Sequence, residues 1–289
     1  MIYWLYRALA RLPLPLLYAL SGVLAGLLYH VVRYRRHVVR ENIANSFPEH
    51  NLAWRKSLEK RFYRTFCDSS VEIIATHALP LSAFTERVQV ANPELLRELS
   101  DNNQRSVTLV LIHQGNWEWA LHAVQPTTDL RLDPVYKPLH SLGADRFALE
   151  LRSRSGGRPI AMRQAARDIL KYRRTPRIIV LVADQAPGRR ARAHWTPFLN
   201  QQTPFFTGPE DIAKILDSPV AFVHCRRQRR GHYLIEFETL TRDPASLDAG
   251  ELLDRYAQVA ERAISEEPES YLWSNRRWKR RAADYSAQD

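Results

Sequence analysis

Cysteine and glycine are scarce in this chain, and each scarcity excludes a class of site. The 289 residues include two cysteines, Cys67 and Cys225, and no C-x-x-C pair, so the sequence predicts neither a thiolate zinc site nor a disulfide scaffold. The 10 glycines form no G-x-G-x-x-G or G-x-x-x-x-G-K motif. Because loops of that kind cradle the phosphates of nucleotides, we expect no nucleotide cofactor.

The chain also lacks an internal repeat, a low-complexity linker and a clear second domain. A hydrophobic content of 45% with 25% charged residues is ordinary for a folded body, which excludes disorder of the whole chain. The net charge of +11 indicates an anionic partner. Phospholipid headgroups, nucleic acid, an acidic protein and a phosphorylated substrate all satisfy that charge, so composition does not choose among them.

The N-terminal segment contains one long hydrophobic run. Residues 14–32 are nearly free of charge and have about the length that a helix needs to cross a bilayer. Aromatic residues flank the run and arginines follow it at 33–40, which predicts a cytoplasmic position for the rest of the chain. A soluble core helix and a cleaved signal peptide are the alternatives. We expect membrane contact, through either a spanning or an interfacial helix.

Apolar runs alternate with helical patterns through the rest of the chain. Runs that are apolar on both faces predict buried strands at 107–112, 178–183, 220–225 and 233–237. The spacing of apolar residues and prolines predicts helices at about 52–79, 161–171, 209–216 and about 246–266. This alternation indicates an α/β fold of three layers with an N-terminal helical appendage.

The sharpest chemical feature is the segment 112–118, IHQGNWE, directly after the first apolar strand. Reactive groups in α/β proteins often lie at such strand ends, and histidine is an effective general base near neutral pH. We expect Glu118 to hold the second nitrogen of His113 and to stabilise its charged form, while Asn116 positions a substrate. The segment lacks the H-E-x-x-H spacing of a zinc helix. Its alternative interpretation is a histidine satisfied by a local carboxylate in a packed loop.

Four further clusters of polar and aromatic residues follow this segment. They are Tyr136-Lys137-Pro138, the basic loop 152–158, Asp184-Gln185 at the end of the second strand, and 271–279 near the C-terminus. The basic loop suits phosphate or carboxylate groups. Taken alone, each cluster has an ordinary interpretation, because basic runs are usually solvated and tryptophans usually belong to a core.

Taken in chain order, these clusters resemble the late acyltransferases of lipid A biosynthesis, a lauroyl- and myristoyl-acyltransferase-like family. HQGNWE resembles the family's H-x-x-x-x-[D/E] motif, and the segments 136–138, 154–157, 184–185 and 273–278 resemble its other signatures. The stretch 40–49 is similar to the signature that follows the family's membrane anchor. One departure is Asn275, where many members carry histidine, and it bears on acceptor preference.

The resemblance implies a fold, a reaction and a site. The fold is a three-layer, glycerolipid-acyltransferase-like domain at 41–289 behind an anchoring segment at 1–40, on the cytoplasmic face of the bacterial inner membrane. The reaction moves a fatty acyl chain from acyl carrier protein to a hydroxyl of a lipid A precursor or related glycolipid, at an anionic phospholipid surface, with no cofactor, metal or nucleic acid. His113 and Glu118 are then the catalytic pair, with Arg154 or Arg158 stabilising the oxyanion. The substrate-binding residues are then Asn116, Tyr136, Lys137, Arg154, Arg158, Asp184, Gln185, Arg276 and Arg277.

Three alternatives remain open at this point. The first is an acyltransferase whose acceptor is an aminolipid, a phosphoglycolipid or another hydroxylated lipid. The second is a catalytically idle, membrane-bound lipid-binding protein. The third alternative, a basic nucleic-acid-binding protein, is disfavoured because the positive charge is spread along the chain without a recognition module.

Overall fold

The computed structural model describes residues 1–188 and 191–279, so residues 189, 190 and 280–289 of the predicted acyltransferase domain lie outside the described part. The α-helices are α1 (Ile2–Ala10), α2 (Leu14–Gly26), α3 (Arg36–Ser46), α4 (Leu52–Ala75), α5 (Ser82–Arg87), α6 (Pro93–Leu99), α7 (Trp117–Val124), α8 (Leu142–Ser153), α9 (Ala165–Lys171), α10 (Gly208–Leu216) and α11 (Glu251–Glu266). The strands are β1 (Val88–Val90), β2 (Val107–Leu111), β3 (Leu132–Tyr136), β4 (Ile160–Ala161), β5 (Ile178–Val182), β6 (Ala193–Phe198), β7 (Gln201–Phe206), β8 (Val220–Arg229) and β9 (His232–Thr241). A π-helical turn at Leu27–Val31 extends α2, and 3-10 turns lie at Gln125–Thr127, Met162–Gln164, Pro244–Ser246 and Pro268–Ser270.

A mostly parallel sheet forms the centre of the fold. Within the described residues it has seven strands in the order β1-β9-β8-β2-β5-β3-β4, and β8, β2, β5, β3 and β4 run parallel. β9 is antiparallel to β8, while β6 and β7 form a separate antiparallel hairpin. Parallel neighbours need crossover connections, and α8 lies in the one between β3 and β4. The parallel strands therefore end together at one side of the sheet, which we name the carboxyl edge.

Apolar side chains pack on both faces of this sheet. Val110 and Ile179 belong to one core cluster, with residues of α4, α9, α10 and α11. Leu109 and Ile178 belong to the other, with residues of α5, α6 and α7. Successive strand residues point to opposite faces, so burial on both faces explains why the strands read as continuous apolar runs. The expected α/β fold with helices on both faces of the sheet is confirmed.

The apolar N-terminal helix lies lengthwise along α4. Leu17 packs with Val71 and Ala75, and Ser21 Oγ donates to Asp68 Oδ1 at 2.5 Å. The opposite face of the helix is exposed through Leu16, Leu20, Val23, Leu24 and Leu27. Among the described residues, the stretch Leu14–Val31 is the one helical segment long and apolar enough to cross a membrane. By itself this is weak support for membrane association.

Several element boundaries differ from those predicted. β8 and β9 run further than their apolar cores because they continue as an antiparallel ladder to Arg229 and His232. The predicted helix 161–171 begins only at Ala165, since Ile160–Ala161 pairs with β3. The helix predicted from about 246 begins at Glu251. The predicted division of the chain after residue 40 falls inside α3, and its assignment to anchoring and catalysis stays a prediction.

Candidate active site

His113 and Asp184 meet at the carboxyl edge of the sheet. In the pairing of β2 with β5, Leu111 lies opposite Val182, and each polar residue follows two positions later on its own chain segment. His113 Nδ1 lies 2.5 Å from Asp184 Oδ1. Asp184 is fully buried, whereas the His113 side chain keeps 16% of its surface exposed. The strand register therefore brings together an accessible imidazole and a buried carboxylate that are 71 positions apart.

The charge state of Asp184 determines which His113 nitrogen carries the proton. Burial opposes ionisation of Asp184, but the charge and hydrogen bonds of His113, with a further contribution from the charge of Arg277, hold the pKa of Asp184 below its ordinary value. An ionised carboxylate only accepts hydrogen bonds, so His113 Nδ1 is the donor, and in the neutral imidazole Nε2 then keeps a lone pair. This is the tautomer in which Nε2 can act as a base.

The Nε2 side of His113 faces groups that a substrate can displace. The exposed Gln185 places its amide nitrogen 3.3 Å from His113 Nε2, which is long for a hydrogen bond. The Trp117 ring lies edge-on to the imidazole, with ring centroids 5.0 Å apart. Packing by Trp117 restricts the ring's orientation, while the weakly held Gln185 leaves Nε2 available to a substrate hydroxyl.

The backbone around His113 is held by the C-terminal part of the chain. Leu272 N donates to His113 O at 3.0 Å, and Gln114 Nε2 donates to two carbonyl oxygens at the end of α11 at 2.9 and 3.0 Å. Gly115 has a φ of +62°, and a Cβ there would come within 2.3 Å of Cys225 O. Only glycine fits this close approach without displacing the backbone. The loop is therefore built to hold the histidine in one place.

A cleft opens beside His113, with about 330 Å³ of empty space including its open mouth. One wall is a face of α4, including Phe62, Phe66 and Ile73, and the other includes Trp117 and the C-terminal segment at 270–272. A concave, largely apolar wall with a few polar groups is typical of a site for an apolar ligand. The spacing of Phe62 and Phe66 marks them only as core positions of a helix, so the sequence does not reveal their place beside the histidine.

The comparison with protein-family models decides the family. The model for bacterial lipid A biosynthesis acyltransferases matches residues 1–280. The chain belongs to the bacterial lipid A biosynthesis acyltransferase family. It is therefore an enzyme that transfers acyl groups, and the expected resemblance is confirmed. The comparison with curated proteins finds no match.

In this acyltransferase the expected contact between Glu118 and His113 is not formed within the described residues. Arg152 binds the Glu118 carboxylate instead, with distances of 3.1 Å from Nε and 2.5 Å from a terminal nitrogen. Because α7 begins at Trp117, the Glu118 side chain lies in the first helical turn and meets α8 rather than the preceding loop. Arg152 also lies over the Tyr136 ring, 5.7 Å from its centroid. Glu118 thus fixes Arg152, and Asp184 takes the place beside the imidazole that we expected for Glu118.

Asn116 is also placed differently from the expectation. It is fully buried, its side-chain oxygen accepts from Trp119 N at 3.0 Å, and its amide donates to Glu72 Oε2 at 3.0 Å. Tyr233 donates to the same carboxylate oxygen at 2.5 Å. Burial raises the pKa of Glu72, an effect that these hydrogen bonds oppose. Asn116 therefore begins α7 and ties it to α4, and its amide is not directed to a substrate.

The structure does not bring the two candidate oxyanion arginines to His113. Arg158 forms a two-point ion pair with Asp168 at 2.7 Å and lies 3.5 Å from Asp133, beside the buried Arg177. This network lies at the amino ends of β3 and β5, on the side of the sheet opposite the carboxyl edge. Arg154 donates to the backbone oxygen of Leu79 at 2.7 Å. Both arginines therefore have structural partners where we expected substrate contacts.

Tyr136 and Lys137 lie at the carboxyl edge of the sheet, on the same side as His113. Tyr136 ends β3 at the carboxyl edge and is half-buried, and the exposed Lys137 follows it. Burial, with the charge of Asp145, raises the pKa of Tyr136, so its phenol stays protonated and can donate. Strand β3 pairs with β5, and Asp184 and Gln185 lie just beyond the end of β5.

The two C-terminal arginines have different surroundings. Arg277 is buried, donates to Pro204 O at 2.6 Å and lies 4.6 Å from the Phe205 ring centroid. Its charge contributes to the lowered pKa of Asp184. Arg276 is exposed and lies 3.3 Å from His37 Nε2 on α3. Arg277 thus supports Asp184, while Arg276 lies on the surface beside the N-terminal helices.

Among residues 1–188 and 191–279, no group of three or more histidine, cysteine, aspartate or glutamate side chains is arranged to hold a metal ion. The two cysteines are buried, and burial raises the pKa of Cys225 to about 12, which keeps that thiol protonated and unreactive.

Proposed function

We propose that this acyltransferase moves a fatty acyl chain from the thioester of an acyl carrier protein to a hydroxyl group of a lipid A precursor or a related membrane glycolipid. The observation that carries the proposal is the hydrogen bond between His113 and the buried Asp184, at the mouth of an apolar cleft. Family membership supports an acyl donor and a lipid acceptor. The carrier protein and the individual acceptor are part of the proposal.

The reaction is a direct transfer with His113 as general base and general acid. His113 Nε2 removes the hydroxyl proton of the acceptor as the oxygen attacks the thioester carbonyl carbon. The carbon–sulfur bond of the tetrahedral intermediate then breaks, and the leaving thiolate takes the proton from the imidazolium. An ester and a free thiol result, so atoms and charges balance. Asp184 is the positioning residue, because it fixes the tautomer and stabilises the imidazolium.

Other residues at the carboxyl edge have proposed roles in binding. Tyr136, Lys137 and Gln185 offer donors beside the end of β5, where the polar part of the acceptor must lie to present its hydroxyl to His113. Glu118 contributes by holding Arg152 against Tyr136. The apolar wall formed by α4 suits the acyl chain. Asn116 and Arg158 are not part of this proposed site, because Asn116 binds Glu72 and the backbone of Trp119, and Arg158 binds Asp168.

The surface charge and the N-terminal helix support a membrane location. We assign the enzyme to the cytoplasmic face of the bacterial inner membrane, with the exposed apolar side of α2 in contact with lipid and the arginines at 33–40 near anionic headgroups. Each juxtamembrane arginine contributes about 1 kcal/mol of attraction to an anionic surface. A net charge of +11 also favours an acidic carrier protein as donor.

The experiment is lipid mass spectrometry of host cells that lack the gene and carry the wild type, His113→Ala or His232→Ala. His232 is a control because it is a half-buried histidine on β9, two strands away from β2, and it does not line the cleft beside His113. We expect one lipid to gain a single acyl mass with the wild type and His232→Ala. His113→Ala is expected to lower turnover at least 10²-fold, since general base catalysis typically contributes about 10²- to 10⁴-fold.

Two outcomes contradict the proposal. A His113→Ala protein that acylates the lipid as well as the wild type removes His113 from the chemistry. Identical lipid profiles with and without the expressed, membrane-bound wild type favour a lipid-binding role without catalysis.

A further inference from the structure

A second cavity with strongly basic walls lies beside the cleft that contains His113. It measures about 910 Å³ including its open mouth. We name it the arginine groove, and its walls are Gly22 of α2, Arg61, Arg64, Thr65 and Asp68 of α4, Arg227 and Arg230 of the β8–β9 hairpin, and Glu269. The proposed mechanism uses none of these side chains.

The charge of the arginine groove favours an anion. Four guanidinium groups line it against two carboxylates, so the walls are net positive at neutral pH. Asp68 is shared by Arg227, at 2.7 Å, and Arg230, at 2.5 Å, and Glu269 lies 3.6 Å from Arg61. Arg64 is exposed at the mouth. Guanidinium groups bind phosphate oxygens with two parallel hydrogen bonds, so such a cluster is suited to a phosphate group.

Hydrogen bonds hold two of these arginines in place before any ligand arrives. Arg227 donates to Thr65 Oγ1 at 3.1 Å, and Arg230 donates to Tyr18 O and Ser21 Oγ of the N-terminal helix at 3.0 Å each. The groove is thus shared by the apolar helix and the catalytic domain. Side chains that are already ordered lose less conformational entropy when they bind.

The position of the groove indicates a lipid as the source of the anion. Gly22 lines the groove, while Leu20, Val23 and Leu24 beside it in the sequence expose apolar surface. A lipid whose chains contact that surface carries its headgroup at the depth of the arginines. A soluble phosphate compound gains nothing from the apolar helix.

The arginine groove also adjoins the catalytic cleft. Thr65 and Glu269 line both cavities, since α4 turns one face to each. We propose that the arginine groove binds the phosphate group of a phosphate-bearing membrane lipid, and that this lipid is the acyl acceptor. The inference rests on the proposed function, because it names the chemical group by which the acceptor is held beside His113.

The test compares two pairs of charge-removing substitutions on α4 in the full-length protein. R61Q/R64Q alters the groove, and K56Q/K60Q removes the same charge from exposed positions of α4 outside it. Arg227 and Arg230 are left intact because they hold the buried Asp68. Binding is measured by co-flotation with vesicles whose main lipid, digalactosyldiacylglycerol, has no phosphate. These vesicles contain either phosphatidic acid or enough oleic acid to carry the same negative charge.

We expect the wild type and K56Q/K60Q to prefer phosphatidic acid to oleic acid. R61Q/R64Q should bind the phosphatidic acid vesicles about 30-fold more weakly than the wild type, the equivalent of two surface arginines. In acyl transfer assays this pair should raise the KM for the lipid acceptor and leave the KM for the acyl donor unchanged. Unchanged thermal unfolding confirms that both pairs fold.

Several results overturn the arginine groove as a lipid-phosphate site. They are equal binding to the two acidic lipids, equal losses in the two variant pairs, competition by soluble glycerol phosphate as strong as by the lipid, and a raised KM for the donor alone. A retained phosphate preference without any acyl gain in cells counts against the proposed function and against the acceptor role of the bound lipid, and leaves the groove as a lipid-phosphate site. Acyl transfer without the preference counts against the groove only.

Discussion

The hydrogen bond between His113 and Asp184 predicts a large and specific loss of acyl transfer in Asp184→Asn. The substitution keeps the size of the side chain and its ability to accept a hydrogen bond from Nδ1, and it removes the negative charge. In the wild type that charge stabilises the imidazolium that forms when Nε2 takes the hydroxyl proton. The variant therefore loses more stabilisation of the transition state than it loses in substrate binding.

The size of the effect follows from the geometry of the pair. The two side chains are in contact at 2.5 Å, and Asp184 is fully buried. Opposite charges with centres about 4 Å apart interact by about 4 kcal/mol at an effective dielectric constant of about 20. Because each 1.36 kcal/mol corresponds to a tenfold change in rate, we expect kcat to fall about 10³-fold. The KM for either substrate should change little.

The assay is steady-state transfer of a radiolabelled acyl chain from acyl carrier protein to extracted membrane lipid. Asp133→Asn is the matched control, since Asp133 is equally buried and ion-paired in the same sheet but lies at its opposite side. Asp184→Glu should restore part of kcat by returning the charge. A role in folding alone would lower thermal stability in both Asp→Asn variants and leave kcat per folded molecule unchanged.

The reasoning fails if Asp184→Asn keeps a wild-type kcat, or if Asp133→Asn loses as much kcat as Asp184→Asn. It also fails if the loss in Asp184→Asn appears wholly in KM. In that case the carboxylate shapes the binding surface and has no part in stabilising the imidazolium.

Two further predictions concern the surroundings of the site. Gly115→Ala should cost about 1–3 kcal/mol of stability in a thermal melt and lower kcat, because its Cβ would meet Cys225 O at 2.3 Å. Gly156→Ala is the control, since Gly156 also has a positive φ but faces open space, and this variant should keep kcat. Equal kcat values for the two variants would contradict the close approach at Gly115. Burial lowers the pKa of His122 from 6.5 to about 4, so stability should be complete above about pH 6.5 and fall as the pH drops towards 4, by up to about 3 kcal/mol. Chemical denaturation of His122→Phe across this range should show a flatter profile than the wild type, and an identical slope would refute the role of this histidine.

Local patterns predict β2, β5, β8 and β9 of the seven-stranded sheet in the described residues and miss β1, β3 and β4. Strands buried on both faces must be apolar throughout, and the predicted runs at 107–112 and 178–183 accordingly become β2 and β5. β3 reads LDPVY, and its buried Asp133 is tolerated only because Arg177 lies 3.1 Å away. Arg177 is 44 positions further along the chain, so no local pattern reveals that compensation.

The sequence by itself determined the family, the mixed α/β fold, and the placing of His113 and Asp184 at strand ends, because these depend on short-range patterns and ordered motifs. The partner of the imidazole depended on the tertiary structure. Sequence proximity favours Glu118 as that partner, yet the start of α7 turns its carboxylate towards Arg152. The parallel pairing of β2 with β5 brings Asp184 to His113 across 71 positions. The surroundings of the arginines also depended on the tertiary structure. The packing of α2, α4 and the β8–β9 hairpin determines whether an arginine faces solvent, a carboxylate or the groove, and the sequence does not show where a charged side chain points.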